Sequence, residues 1–201
     1  MDTMMIIFLV IIGVAVLGLL WLMGVYNKLI TLRNQVKNSW SQIDVQLQRR
    51  YDLIPNLIET VKGYMNFEKG TLEAVISARN QGAAARESIQ KSGGTPTPEA
   101  MQQIVGAEAA LRGSIPQIFA LAENYPQLKA SENMKILQEE LSSTENRIAF
   151  ARQAYNDQAM YYNTAQQEFP TTLVAAMFGH QPSELYQVQD EEAKKAVKVS
   201  F

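Results

Sequence analysis

Residues 49–57 read RRYDLIPNL, and how that proline is read decides whether the chain makes one long helix or two shorter ones here. As a turn, Asp52 would cap a new helix and Pro55 would sit in its first turn, where a missing N–H costs little. As a kink, Pro55 removes the hydrogen bond to the Tyr51 carbonyl and bends a helix that continues. The freed carbonyl would then take a donor from Asn56 or from a group on the fourth helix. A better stop lies downstream in VKGYMN, residues 61–66. There Lys62 occupies a last turn, Gly63 can adopt the left-handed conformation, and Asn66 can cap the next helix. The expectation is a bent but continuous helix from about residue 26 to residue 62.

Upstream, Leu29, Leu32, Val36, Trp40, Ile43 and Leu47 return every three or four positions and form one apolar stripe. Before them, residues 4–25 read MMIIFLVIIGVAVLGLLWLMGV, with no charge and no polar face. At about 1.5 Å per residue such a run crosses a hydrocarbon layer about 30 Å thick. A cleaved signal peptide needs a basic start and a small-residue cleavage site, whereas here Asp2 precedes the run and Trp21, Tyr26 and Asn27 close it. A transmembrane helix is the reading adopted. Lys28, Arg33 and Lys37 come after it, which by the positive-inside tendency places the N-terminus outside and the remainder in the cytoplasm.

Downstream, residues 67–87 read as a second helix that Gly70 and Gly82 weaken, by about 1 kcal/mol each relative to alanine if exposed. Residues 88–98, SIQKSGGTPTP, are the clear loop. A third helix is expected from Pro98 or Glu99 with Thr97 as its cap, and Pro116 should kink it. After the turn ENYPQLKASEN, Ser131 caps a fourth helix over 132–168. In it Met134, Leu137, Leu141, Thr144, Ile148, Ala151 and Tyr155 alternate spacings of three and four, a heptad seam of the coiled-coil type. The dipeptides Tyr155-Asn156 and Tyr162-Asn163 recur seven residues apart on that helix. A buried tyrosine or asparagine needs a hydrogen-bond partner, so these four are expected in polar layers in or beside the core.

Two long and two short helices fit an up-down-up-down arrangement. The predicted fold is all-α: an N-terminal transmembrane helix followed by an antiparallel up-and-down four-helix bundle. The partition is a short tail at 1–3, the transmembrane helix at 4–25, the bundle at 26–179 and a C-terminal tail at 180–201. The alternative is a first helix running unbroken to residue 87, about 90 Å long. Residues 171–179, TTLVAAMFG, form a short apolar segment that could cap the bundle or dip into a membrane surface. The tail beyond is expected to pack loosely.

Composition removes several chemistries. With 18 basic and 20 acidic residues the balance gives no argument for nucleic acid. There is no cysteine and a single histidine, His180, which next to Gly179 and before Pro182 reads as a surface turn residue. Catalytic triads, HExxH zinc sites and Glu-x-x-His di-iron motifs cannot be assembled within one chain. Glu139-Glu140 and Glu191-Glu192 are sequence neighbours that point about 100° apart on a helix, away from any shared substrate. No cofactor, metal, small-molecule substrate or enzymatic activity is expected.

From YNKLITLRNQVKNSWSQIDVQLQRRYDLIPNLIETVKGY through EKGTLEAVISAR to the stretch ending TTLVAAMFG and a tail ending KVSF, the chain resembles the LemA family of bacterial membrane proteins. RRYDLIPNL and ENRIAFAR carry the specific part of the likeness. The resemblance implies one N-terminal transmembrane helix followed by an antiparallel helical bundle, with no established enzymatic activity. Two positions depart from it: Tyr51 stands where members often carry histidine, which removes a histidine ligand there, and Pro116 sits inside a helix. The interaction or structural candidates are Trp40, Arg49, Arg50, Asp52, Pro55, Asn56, Glu145, Asn146, Arg147, Tyr155, Asn156, Tyr162 and Asn163. Arg49 and Arg50 are expected to reach acids such as Glu145 on the fourth helix or to stay solvated.

The expected function is a single-pass scaffold or adaptor in the bacterial inner membrane. It would touch the lipid bilayer, associate with copies of itself, and engage other membrane or envelope proteins. Membrane quality-control proteins are the partners the resemblance implies. The alternatives are a membrane-shaping or lipid-sensing protein, which would use residues 170–178 and the basic juxtamembrane residues, and an enzyme with a site between subunits.

Overall fold

The computed structural model describes residues 3–63 and 69–187, and among these every regular element is helical. Helix α1 spans Thr3–Lys62, α2 Lys69–Lys91, α3 Pro98–Ala122, α4 Pro126–Lys129, α5 Glu132–Gln167 and α6 Thr171–Met177. The 60 residues of α1 give a rod about 90 Å long that joins the apolar run and the first bundle helix without a break. The apolar run is exposed from Met4 to Trp21, and only its last turn, at Leu22 and Val25, is partly covered by the bundle. From Leu29 onward a single stripe is buried, through Val36, Trp40, Ile43, Leu47, Tyr51, Ile54, Leu57 and Val61.

Four helices make the bundle. Ion pairs and ring contacts set their directions: Trp40 of α1 meets Tyr155 of α5, while Arg50 of α1 lies 3.7 Å from Glu145 of α5, so these two helices are antiparallel. In the same way Arg86 of α2 pairs with Asp44 of α1, and Arg79 of α2 reaches Tyr51. The chain thus climbs in α1, descends in α2, climbs in α3 and descends in α5. The closest helix pairings are α1 with α5 and α2 with α3. Short α4 fills the turn before α5, with Leu128 fully buried.

Several boundaries match local chemistry. Thr97 caps α3 by accepting from the Ala100 amide at 3.3 Å; Ser131 holds the N-cap position of α5 with extended backbone, but its side chain makes no capping hydrogen bond. Gly179 closes α6 in the left-handed conformation, φ +66°, while the His180 amide reaches back to the Ala175 carbonyl at 3.0 Å. That six-to-one bond satisfies a carbonyl the helix end leaves open, and a residue with a Cβ adopts such a φ only under strain.

Other expectations change. Helix α1 ends at Lys62, which excludes the unbroken helix to residue 87, but Gly63 does not take the left-handed conformation. The cap expected at Asn66 lies outside the described residues. Helix α2 runs to Lys91, four residues into the stretch read as loop. Ile89 explains this: it is fully buried, so tertiary packing extends the helix past the weak local signal. Helix α3 passes through Pro116, and α1 through Pro55, as continuous elements.

Candidate functional site

Two polar constructions stand out in the bundle, one buried at mid-height and one along α5. The first grows from the RR dipeptide. Successive helix positions point about 100° apart, so Arg49 faces out and pairs with Glu140 of α5, while Arg50 faces in and is only 3% exposed. Arg50 Nη1 donates to Glu108 Oε2 on α3 at 2.8 Å, and its Nη2 lies 3.7 Å from Glu145. Glu145 also receives Arg112 Nε at 3.0 Å. Arg49 thus reaches an acid of the fourth helix as expected, Glu140 in place of Glu145, while for Arg50 Glu145 is the secondary partner. The principal partner, Glu108, is hidden from sequence reading because it sits on the apolar face of α3 among alanines, where nothing local marks it as buried.

Burial pushes the Glu108 carboxyl above its ordinary range, and the neighbouring Arg50 guanidinium pulls it back. Burial, reinforced by the Glu108 charge, drives the Tyr51 phenol far upward, so it stays protonated. Arg50 Nε has no hydrogen-bond partner among the described residues, and the Tyr51 hydroxyl and Glu108 carboxyl interact without a hydrogen bond of good geometry, so the cluster compensates its desolvation only in part. Gly82 on α2 explains how the Tyr51 ring fits. A Cβ there would fall 2.6 Å from Tyr51 Cζ and closer still to its hydroxyl. The glycine that reads as a weakness in α2 is the space that Tyr51 occupies.

Pro55 and its neighbours lie on the outer side of α1, where Pro55, Asn56 and Asp52 are exposed. The Tyr51 carbonyl that Pro55 leaves open accepts from Arg79 Nε of α2 at 3.2 Å, in place of the expected Asn56 or fourth-helix donor. Asp52 accepts from Gln48 at 2.6 Å, and the Asn56 carbonyl accepts from Thr60 at 2.8 Å, both one turn away on α1. Below this level α1 and α2 are joined by Arg86, buried, which donates from Nε and Nη2 to the two Asp44 oxygens at 2.6 and 3.0 Å and also to Gln48. A two-pronged contact of this kind fixes orientation as well as distance.

The second construction explains the repeated Tyr-Asn dipeptide. After α6 the chain turns back and residues 180–187 run as a strap along α5. Asn163 donates to the Ser183 carbonyl at 2.9 Å and accepts from its amide at 2.7 Å. Seven residues earlier Asn156 does the same for Tyr186, at 3.1 and 2.8 Å. Tyr155 donates to the Glu184 carbonyl at 2.6 Å, and Tyr162 shares a 2.8 Å hydrogen bond with His180 Nδ1. Each asparagine thus stands in for a neighbouring strand, offering one donor and one acceptor to an extended backbone.

Residues 180–187 are therefore not the loose tail expected, and His180 is part of the clamp. Burial, then the nearby Arg33, lowers the His180 pKa and keeps the imidazole neutral. Tyr186 is buried, with Arg152 of α5 5.9 Å from its ring centroid, and burial, then the Glu108 charge, raises its phenol pKa. The strap is thereby anchored along α5. Residues 188–201 lie outside the described residues.

Among the other candidates, Trp40 is buried and meets the Tyr155 ring edge-on at 5.6 Å. Asn146 and Arg147 are exposed on α5, and Arg147 borders an outer groove between α1 and α5 with Val45 and Phe150. The structure brings Arg50, Glu145 and Tyr51 together at one level and Tyr155, Asn156, Tyr162 and Asn163 along one strap, while Asp52, Pro55 and Asn56 stand apart. Sequence reasoning missed Glu108, Arg86, Asp44, Gly82 and Tyr186; only the spacing of the Tyr-Asn pairs carried a signal, since it put four hydrogen-bonding side chains on one face.

Among the described residues the fold is an all-helical bundle carried on one long helix whose N-terminal part is long and apolar enough to cross a membrane. The LemA family model matches residues 39–201, and the chain belongs to the LemA family. It is similar to Protein LemA of Metamycoplasma hominis, 28% identical over 176 residues, which cover 88% of this chain and 73% of that protein. It is also similar to magnetosome protein MamQ 2 of Paramagnetospirillum magneticum, 24% identical over 175 residues and 81% of this chain. Magnetosome protein MamQ of Magnetospirillum gryphiswaldense is 23% identical over 180 residues and 80% of this chain. The chain spans 64% of the length of each of these magnetosome relatives. None of these names is that of an enzyme.

Proposed function

We propose that the protein is a single-pass, membrane-anchored scaffold whose bundle presents helical faces to other membrane or envelope proteins and to copies of itself. The observation that carries this reading is the outer groove between α1 and α5. Val45 is 61% exposed and Phe150 74% exposed there, on helices whose inner faces are already fully used by the core. Apolar side chains kept on an otherwise polar outer face suit a partner helix. The polar groups of the bundle support the same reading. Arg50 and Glu108 are buried and paired with each other, which suits a role in holding helices together. Residues 4–25 supply the anchor, and Lys28, Arg33 and Lys37 after them favour a cytoplasmic bundle.

The test uses the full chain in mild detergent, with mass measured in solution and crosslinking in intact cells. Phe150→Asp and Val45→Asp together should abolish self-association and partner capture while leaving the helical content and melting unchanged. Isolated monomers of the unsubstituted protein with no captured partner would sink the scaffold reading.

A further inference from the structure

Helix α6 is amphipathic across a very short length. Val174 and Ala175 face the bundle, at 3% and 4% exposure, whereas Leu173 is 61% and Met177 70% exposed on the side turned away. Phe169 before the helix and Phe178 after it are 81% and 47% exposed. Leu173, Ala176 and Met177 are spaced as one helix face, and α6 itself carries no charge. Phe169, Leu173, Ala176 and Met177 are thus left exposed, with Phe178 half-exposed beside them.

Position along α1 identifies what covers them. Helix α6 packs on α1, and the Phe178 ring lies 4.7 Å from the ring of Tyr26. Leu22, Val25 and Tyr26 are partly buried against the core. The lowest layer of the bundle therefore overlaps the last turn of the apolar run at residues 4–25. A run of that length covers about 33 Å, the full hydrocarbon thickness, so α6 stands at the level where the helix leaves it. Trp21 and Tyr26 mark the same level, as aromatic rings do at membrane boundaries. Lys28 and Arg33 are exposed one to two turns above, where headgroup phosphates lie.

We propose that the exposed face of α6 is a foot inserted into the headgroup and upper acyl region of the bilayer, giving the bundle a second membrane contact beside α1. This rests on reading residues 4–25 as the anchor. The bilayer is the occupant because the face continues the uncovered surface of α1. A second copy of the chain would need about 800 Å² on each partner, more than a seven-residue helix presents. Two contacts, unlike one, fix how the bundle is turned about the α1 axis. The outer α1–α5 groove would then face a set direction along the membrane.

The chain has no cysteine, so single-cysteine variants of the full protein report one site each. Leu173→Cys and Met177→Cys, labelled with an environment-sensitive fluorophore, would be reconstituted into phosphatidylcholine–phosphatidylglycerol vesicles. Val16→Cys serves as the anchor control and Ile136→Cys, at the opposite end of the bundle, as the water control. Positions 173 and 177 should show blue-shifted emission and lose fluorescence to nitroxides carried high on the acyl chain, while 136 loses none. Quenching at 16 with water-like signals at 173 and 177 would overturn the foot and leave the anchor standing. A water-like signal at 16 would instead remove the anchor, and the foot with it. Efficient bismaleimide crosslinking between two Met177→Cys chains in vesicles would show a second copy on this face and overturn the proposal. Unchanged thermal melting of each variant confirms that the label reports on the native fold.

Discussion

On one flank of α5, Leu137, Leu141, Thr144, Ile148 and Tyr155 close on the stripe of α1 as an almost wholly apolar seam. On the flank toward α3, cohesion comes from Arg50, Glu108, Glu145 and Arg112 and from a strap held by asparagine and tyrosine side chains. The seam is non-directional and would tolerate a change of side chain of similar volume. The polar flank is directional, because each group has one or two geometrically suitable partners and leaves them buried and unpaired if it is removed. The seam therefore supplies most of the cohesion, and the polar flank dictates which helix lies where.

Substitutions can break this contrast. Arg50→Ala should be the most damaging, at about 4 kcal/mol, because it strands the buried Glu108 charge. Thermal or denaturant unfolding in detergent reads this out. Arg50→Met combined with Glu108→Leu should recover most of that loss, since the pair is only partly compensated now. Failure of the double variant to melt above Arg50→Ala would show that the cluster is more than a device of orientation. Leu47→Ala in the seam should cost about 3 kcal/mol through the cavity it leaves, with no equivalent charge-free rescue.

Asn156→Ala with Asn163→Ala removes four hydrogen bonds of the strap and should cost about 2 kcal/mol. Hydrogen exchange at the Ser183 and Tyr186 amides should accelerate while amides of the α1–α5 seam stay protected; equal acceleration in both would make strap and seam one cooperative unit. Gly82→Ala sets a helix-propensity gain of about 1 kcal/mol against the overlap with Tyr51. A net loss of about 1 kcal/mol is expected, overpacking being the larger effect, and a rise in melting temperature would show that Tyr51 can move aside freely.

The smallest effect is pH dependence. A His180 pKa below its unfolded value means the unfolded chain binds more protons. The strap's contribution is thus present above about pH 6.5 and lost as the pH falls through the lowered folded value. Glu108, raised by burial, works in the opposite sense. The difference in melting between the protein and His180→Gln at pH 7.5 and 5.5 isolates the histidine. No change in that difference would mean the imidazole is free of the strap.

The legible parts of the fold are those written as periodicity. The stripe from Leu29 to Leu47, the seam from Met134 to Tyr155, the Thr97 cap and the end at Lys62 all come from local spacing and end chemistry. The α2 boundary escapes such reading because Ser88 to Lys91 have weak local preference and are held by the burial of Ile89. The polar cluster is illegible because a glutamate on α3 and an arginine on α1 announce nothing about each other across 58 positions.

The sequence by itself determined an apolar run long enough to cross a membrane, four helices with one buried stripe each, and the end of the first helix at Lys62. These are short-range properties, fixed by the rise of a helix and the period of its side chains. Only the tertiary structure decided that Arg50 chooses Glu108, that Arg79 answers the carbonyl left by Pro55, that Gly82 makes room for Tyr51, and that residues 180–187 return to be clamped by two Tyr-Asn pairs. Each of those is a choice among several chemically acceptable partners, and such choices are made by which helix faces meet in three dimensions.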